Sequence, residues 1–152
     1  MGLPKGEIEM LLNKGLFFAA VVSLSLLASK AYADVTGTWS TVEGKSHVKI
    51  EPCGDKFCGK IVWLKEPNNA EGKPKKDINN TDEALRGRPI LGMELLNGFS
   101  PESKTEWDDG TIYNPEDGKT YSSTLTIAKS GELEVEGCVL FICKTQVWKK
   151  VE

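Results

Sequence analysis

Four cysteines stand in two pairs of equal spacing, Cys53 with Cys58 and Cys138 with Cys143. If Cys53 and Cys58 oppose each other across a four-residue loop, Gly54-Asp55-Lys56-Phe57, their Cα atoms fall about 4.5–5.5 Å apart, inside the range of a disulfide. A loop this short adds about 2 kcal/mol on the chain-entropy account. The second pair encloses Val139-Leu140-Phe141-Ile142, which contains no turn residue. Either these four form an apolar loop folded against the end of the domain, or the cysteines of the two pairs cross-link. Local pairing is expected among the three possible connectivities. A zinc site is built from separations of two to four residues and commonly takes histidine. The single histidine, His47, is expected to face water on a strand, so no metal is expected. An exposed His47 with no orienting partner likewise offers little to Ser/His/Asp or Cys/His chemistry, and a Cys-x-x-Cys redox motif is absent.

Carboxylates are numerous: Asp77, Asp82, Glu83, Asp108, Asp109, Glu116 and Asp117. Most lie at turn positions, where Asp hydrogen-bonds its own backbone. Arg86 and Arg88 flank Gly87 and suit either a bound carboxylate or phosphate, or a bridge to Asp77 or Asp82 that locks a loop. The residues singled out for ligand binding are Asp77, Asn80, Arg86, Arg88, Trp107, Tyr113 and Tyr121. Trp39, Trp63 and Trp148 are assigned to the core or to a plug at one end. A hydrolase reading requires Asp77 or Asp82 to converge with Arg86 and Tyr121; no catalytic residue and no cofactor are assigned otherwise.

These residues must be positioned by short strands. Lys5 and Lys14 precede an apolar run over residues 16–28, and Ala31-Tyr32-Ala33 follows. This is the pattern of a signal peptide over residues 1–33 with cleavage before Asp34. The long stretch before Leu11 makes Met10 an alternative start. The expected destination is the bacterial periplasm or the medium, without a stable membrane span after cleavage. Losing residues 1–33 removes three of 19 basic and two of 22 acidic residues, leaving 16 and 20 and a net charge of −4. Mild acidity with mixed signs argues against nucleic acid. Residues 34–152 suffice for one domain, expected to be monomeric.

Turn signals recur at Glu43-Gly44, Gly54-Asp55, Asn97-Gly98, Asp109-Gly110, Asp117-Gly118 and Ser130-Gly131. Between them, segments such as Ser46-His47-Val48-Lys49-Ile50-Glu51 alternate apolar and polar residues, the signature of antiparallel strands with one wet face. Strands are expected over residues 35–41, 46–53, 57–64, 90–96, 104–107, 111–114, 119–128, 132–138 and 143–150. The fold class is therefore all-β, an antiparallel up-and-down barrel of about eight or nine strands. One long loop, residues 66–88, interrupts the pattern. Asn80 with Glu83 fits a capping box and Gly87 and Pro89 end the segment, so one or two helical turns are expected there.

Across nearly all of residues 34–152 the sequence resembles a bacterial secreted family catalogued as domain of unknown function 2147. The resemblance is carried by Gly37-x-Trp39, by Cys58-Gly59-x-Ile61-Val62-Trp63-Leu64, and by Asp77-x-x-Asn80 followed by Ala84-Leu85-Arg86-x-Arg88-Pro89-x-Leu91-Gly92. It continues through Trp107-x-x-Gly110-x-Ile112-Tyr113-x-Pro115-x-Asp117-Gly118-Lys119-Thr120-Tyr121, then Cys138, Cys143 and Gln146-x-Trp148. The chain departs from that pattern at Thr81 and Glu83, where prolines are common, and lacks the glycines often found between the last two cysteines. The resemblance implies a lipocalin-like barrel in the bacterial envelope. The expected function is binding of a small apolar or amphipathic ligand; the alternatives are an envelope or stress module that binds a protein or cell-wall partner, and the hydrolase described above.

Overall fold

The computed structural model describes residues 33–151. Apart from Ala33, the expected leader over residues 1–33 lies outside them. Eight antiparallel strands close into a barrel in chain order: β1 Gly37–Ser40, β2 Ser46–Cys53, β3 Lys56–Leu64, β4 Glu94–Pro101, β5 Glu106–Asn114, β6 Lys119–Ile127, β7 Leu133–Val139 and β8 Ile142–Lys150. Each strand pairs with its neighbour in sequence, and β8 closes on β1 through Trp39↔Lys150 and Ser40↔Lys149.

Two of the expected turns are not turns, and the loss of one of them reduces nine expected strands to eight. Asn97-Gly98 lies inside β4, and Asp109-Gly110 lies inside β5, joining the segments 104–107 and 111–114. Both places hold positive φ, 75° at Gly98 and 59° at Asp109. A β-bulge uses the left-handed conformation as readily as a hairpin turn does. The two bulges face each other, so pairing resumes in step, Asn97↔Thr111 on one side and Ser100↔Asp108 on the other. Their effect is to bring Phe99 and Trp107 inward. Gly110 is the partner of this packing: a Cβ there would lie 2.4 Å from the Phe99 ring. Residues 90–93, expected as the start of β4, instead form a turn in which Gly92 N–H donates to the Ile61 carbonyl and Ile61 N–H donates to the Met93 carbonyl.

A third irregularity concerns Trp63, expected in the core. Val48 pairs with Ile61 but His47 pairs with Trp63, so β3 carries one extra residue there. Strict alternation from Gly59 and Ile61 would point Trp63 inward; the extra residue turns it outward. It is 43% exposed and stacks on His47 with ring centroids 4.4 Å apart. His47 is thereby half-buried rather than simply solvated.

The connections between β2 and β3, β4 and β5, and β6 and β7 lie at one end of the barrel, together with the N-terminal segment. This end is packed. Val35, Trp39, Ile50, Phe99, Trp107, Leu125 and Leu133 are buried there, and Trp39 donates its indole N–H to the Val35 carbonyl at 2.9 Å. Ala33 N–H donates to the Lys104 carbonyl, tying the entering chain to the β4–β5 turn. The other four connections, residues 41–45, 65–93, 115–118 and 140–141, ring the opposite end.

Both disulfides form locally, Cys53–Cys58 and Cys138–Cys143. The first hairpin has a two-residue loop, with Cys53↔Lys56 and Glu51↔Cys58 as partners. Its cysteines are thus diagonal rather than opposed, at a Cα distance of 5.7 Å. The second pair is directly opposed, Cys138↔Cys143, with Val139↔Ile142 above it and a two-residue turn of Leu140 and Phe141. That turn projects into solvent instead of folding against the barrel end.

A half-open barrel and a clamped rim

The ring of four connections surrounds an open cavity of about 1450 Å³ that runs down into the barrel. Strand register identifies its walls. Gly137 faces inward, since a Cβ there would sit 3.3 Å from Ile112 and 3.7 Å from Tyr121. The cross-strand partners Val135↔Gln146, Gly137↔Lys144 and Leu133↔Trp148 therefore place Gln146, Lys144 and Trp148 on the inner face of β8. Trp148 is buried and forms the floor, its indole N–H donating to Gln146 Oε1 at 2.9 Å. Ile61, Leu64, Ile112, Tyr121, Val135 and Val139 supply apolar wall. Ser123, also inward, is satisfied by donating to the Glu136 carbonyl at 2.6 Å. The cavity thus presents an apolar lower wall, a polar band at Gln146 and an ammonium at Lys144 near the mouth.

The long loop forms one side of that mouth and is folded, not slack. Isolated bridges join Asn68 to Pro74 and Lys76 to Pro89, and Asp77 N–H donates to the Arg88 carbonyl at 3.0 Å. Its helical content is one 3-10 turn, Glu83–Leu85, capped by Asp82, whose Oδ1 accepts from Ala84 N–H at 2.9 Å. Asn80 is not the cap that was expected. Its Oδ1 accepts from Asp82 N–H, and its amide group has another task.

That task is at Asp77, the most completely enclosed carboxylate among the described residues (0% exposed). Tyr113 OH donates to Asp77 Oδ1 at 2.6 Å, while Asn80 Nδ2 at 2.7 Å and Arg88 Nε at 2.8 Å donate to Oδ2. The Arg88 guanidinium also lies over the Tyr113 ring, 5.1 Å from its centroid. Burial alone pushes the Asp77 carboxyl upward, but the hydrogen bonds from Tyr113, Asn80 and Arg88, with the charge of Arg88, outweigh it and hold the group below the usual carboxylate range. Tyr113 is pushed up, by burial first and then by donating to Asp77. Tyr113 lies on the face of β5 opposite Ile112, so the network clamps the loop to the outside of the barrel wall. Asn79 continues the clamp by donating to the Pro115 and Glu116 carbonyls at 3.1 Å. Gly118 permits this approach: its φ is 70°, and a Cβ would lie 1.8 Å from the Asn79 carbonyl oxygen.

The residues expected to bind ligand therefore separate. Asp77, Asn80, Arg88 and Tyr113 come together, but on one another. Arg86 is held within the loop by the Asn80 carbonyl at 2.8 Å and by Glu83 at 3.2 Å, not by Asp77 or Asp82, whereas Arg88 makes the expected bridge to Asp77. Tyr121 lines the cavity at the rim and donates to Asp117, which raises the Tyr121 hydroxyl. Trp107 is remote from all of these, buried in the packed half with its ring edge-on to Phe57. Asp77, Asp82, Arg86 and Tyr121 are committed to different partners, and no side-chain hydrogen bond or ion pair joins any two of them among the described residues. Glu136, Cys138 and Cys143 are close enough to hold a metal, but both thiols are consumed in the disulfide, leaving one carboxylate.

Lys144, Gln146, Gly137 and Val135 are not among the ligand-binding candidates read from the sequence. The available signal was the alternation of Lys144, Gln146 and Trp148, which shares a face with a residue already assigned to the interior. It is masked because the pattern is inverted there: Val147, on the outer face, is the apolar residue.

Comparison with known proteins agrees with this architecture. A solved structure described as protein HP1028 from the human pathogen Helicobacter pylori, a member of the lipocalin family, superposes with a TM-score of 0.69 at 26% identity, covering 79% of this chain and 84% of that one. No curated protein matches the chain. The family described as "Uncharacterized protein conserved in bacteria (DUF2147)" matches residues 37–150, nearly the whole barrel, and the chain belongs to that family.

Proposed function

We propose that the open half of the barrel binds a small amphipathic molecule, its apolar part against Ile61, Ile112, Val135 and Trp148 and its polar head near Lys144. The observation that carries this reading is the cavity itself: the inward positions are filled with large side chains in one half and left open in the other. An apolar pocket with a few convergent polar groups is the usual form of a small-ligand site. Lys144 has no acidic partner among the described residues, so an anionic head is favoured over a cationic one. The two disulfides support an oxidising, extracytoplasmic workplace, and no described helix is long and apolar enough to cross a membrane.

The test is titration with dodecanoate, dodecanol and dodecylamine, followed by tryptophan fluorescence, since Trp148 is the cavity floor. Dodecanoate is expected to bind most tightly. Gln146→Trp, which narrows the cavity at a solvent-accessible position, is expected to abolish binding of all three. Lys144→Met is expected to weaken dodecanoate by about fivefold, the upper range for an exposed ion pair, and to leave dodecanol unchanged. Binding that survives Gln146→Trp would overturn the reading.

A further inference from the structure

The β7–β8 tip is built against the local preferences of its own backbone. Leu140 and Phe141 form a two-residue hairpin turn and are each 89% exposed. Leu140 holds φ at 53°, a conformation that Asn, Asp or Gly adopts far more easily than a branched apolar residue. With positive φ at the first turn residue only, Gly-Asn would make the better turn and the more soluble one. The tip is also held rigid, because Cys138–Cys143 staples the two strands directly beneath it. Nor can it fold down to bury itself. Val139 and Ile142, the next residues down, extend the same apolar surface into the cavity mouth.

The surroundings on the rim indicate what meets this tip. Val42 and Ile78, on the neighbouring connections, are exposed. Lys45, Lys65, Lys73, Lys75, Lys76 and Lys144 stand around the mouth. Lys45, Lys73 and Lys75 pair with Glu43 or Glu116, Glu71 and Glu66; Lys65, Lys76 and Lys144 have no acidic partner among the described residues. A two-residue tip with flanking valine and isoleucine is far below the roughly 800 Å² per partner of a stable protein interface. Shallow insertion of a few apolar side chains, assisted by lysines facing anionic headgroups, is enough for reversible attachment to a bilayer.

We propose that the open end of the barrel docks on an anionic lipid bilayer, with Leu140 and Phe141 inserted among the headgroups and the unpaired rim lysines Lys65 and Lys76 against their charge. The docked orientation turns the cavity mouth toward the lipid. Docking itself stands apart from the cavity reading, and only its consequence rests on that reading: the ligand would be exchanged with the membrane and not with bulk water.

The experiment is flotation of the full protein with vesicles of phosphatidylglycerol and phosphatidylethanolamine, against vesicles of phosphatidylcholine alone, at low and physiological salt. The wild type is expected to float with the anionic vesicles, less so at higher salt. The paired change Leu140→Gly with Phe141→Asn, which puts glycine at the one positive-φ position and so preserves the hairpin, is expected to reduce the bound fraction at least tenfold with an unchanged melting curve. Lys65→Gln with Lys76→Gln is expected to reduce it severalfold and to flatten the salt dependence. Phe141→Trp is expected to shift its emission to the blue on anionic vesicles. Equal flotation of the turn variant, or no flotation of the wild type at low salt, overturns the proposal, as does tip-dependent self-association in sedimentation without vesicle binding. Dodecanoate binding by the same turn variant separates the two readings: if it persists while no form of the protein floats, docking fails and the cavity reading stands.

Discussion

Asp77→Ala tests whether the buried carboxylate is a clamp or a latent reactive group. The substitution removes the acceptor of three side-chain donors, Tyr113, Asn80 and Arg88. A hydrogen bond to a charged acceptor contributes about 1.5 kcal/mol at the low end, and the Arg88 share is discounted because its side chain is 36% exposed. The sum is about 3 kcal/mol for holding the loop on the barrel, which is roughly a hundredfold in an opening equilibrium. Because the network joins a loop to a strand face, the loss is expected as local opening before global unfolding. Native-state hydrogen exchange reads it directly. The amides of Asp77, Asn80 and Ile90, bonded to Arg88, Asp77 and Lys75 carbonyls, are expected to exchange about 100-fold faster in the variant, and those of Ile50 and Leu125 in the packed half at the wild-type rate. The pH arm has a fixed sign. The folded carboxyl is held below its ordinary value, so the closed loop binds fewer protons than the open one and its stabilisation is complete above the unfolded value near pH 4. It is lost as pH falls through the folded value. The wild-type advantage, corrected for intrinsic exchange, should therefore shrink in acid and be flat near neutrality. An acceleration below about fivefold, or an advantage that persists unchanged at low pH, refutes the clamp.

Three other changes have defined outcomes. Gly118→Ala places a methyl group against the Asn79 carbonyl and demands positive φ of an L-residue; a loss of about 2 kcal/mol or more in urea unfolding is expected, with the same loop amides accelerated as in Asp77→Ala. Trp39→Ala, in the packed end, is expected to lower stability by about 3–5 kcal/mol, whereas Trp63→Ala, stacked outside on His47, is expected to fall within about 1 kcal/mol of wild type in the same assay. Replacing Cys138 and Cys143 together by serine is expected to remove about 2 kcal/mol, with the barrel's far-ultraviolet circular dichroism retained.

How far the chain could be read without coordinates follows from which signals have a single meaning. Alternation with one charged face, as in β2 and β7, means an antiparallel strand wherever it occurs, so the barrel and its sequential order were legible. Positive-φ dipeptides have two meanings. Asp117-Gly118 is a turn, Asp109-Gly110 is a bulge within β5, and the difference depends on whether the partner strand carries a matching extra residue. Trp63 was misassigned for the same reason, since one inserted residue reverses the face of everything beyond it. Asp77, Asn80, Arg88 and Tyr113 stand among seven candidates read from the sequence, but that four of them bind one another depends on Tyr113, which only the register of β5 brings to the loop.

The half-open interior follows from a difference in side-chain volume along one set of inward positions. An eight-stranded barrel is just wide enough for its own side chains to fill. In the packed half those positions carry Trp39, Ile50, Phe99, Trp107, Leu125 and Leu133, and the space is used up. Above Trp148, β6, β7 and β8 turn inward Ser123, Val135, Gly137, Gln146 and Lys144. Three of these are small, and Lys144, whose stem can lie along the wall while its charge reaches the mouth, takes up little of the centre. The charged groups that fix the loop are kept on the outer face of β5, so Asp77 and Arg88 stabilise the rim without placing an ion in the cavity. An external clamp and an apolar lumen are thus two consequences of one register: with β5 slipped by a residue, Tyr113 would enter the barrel and draw the buried charge after it.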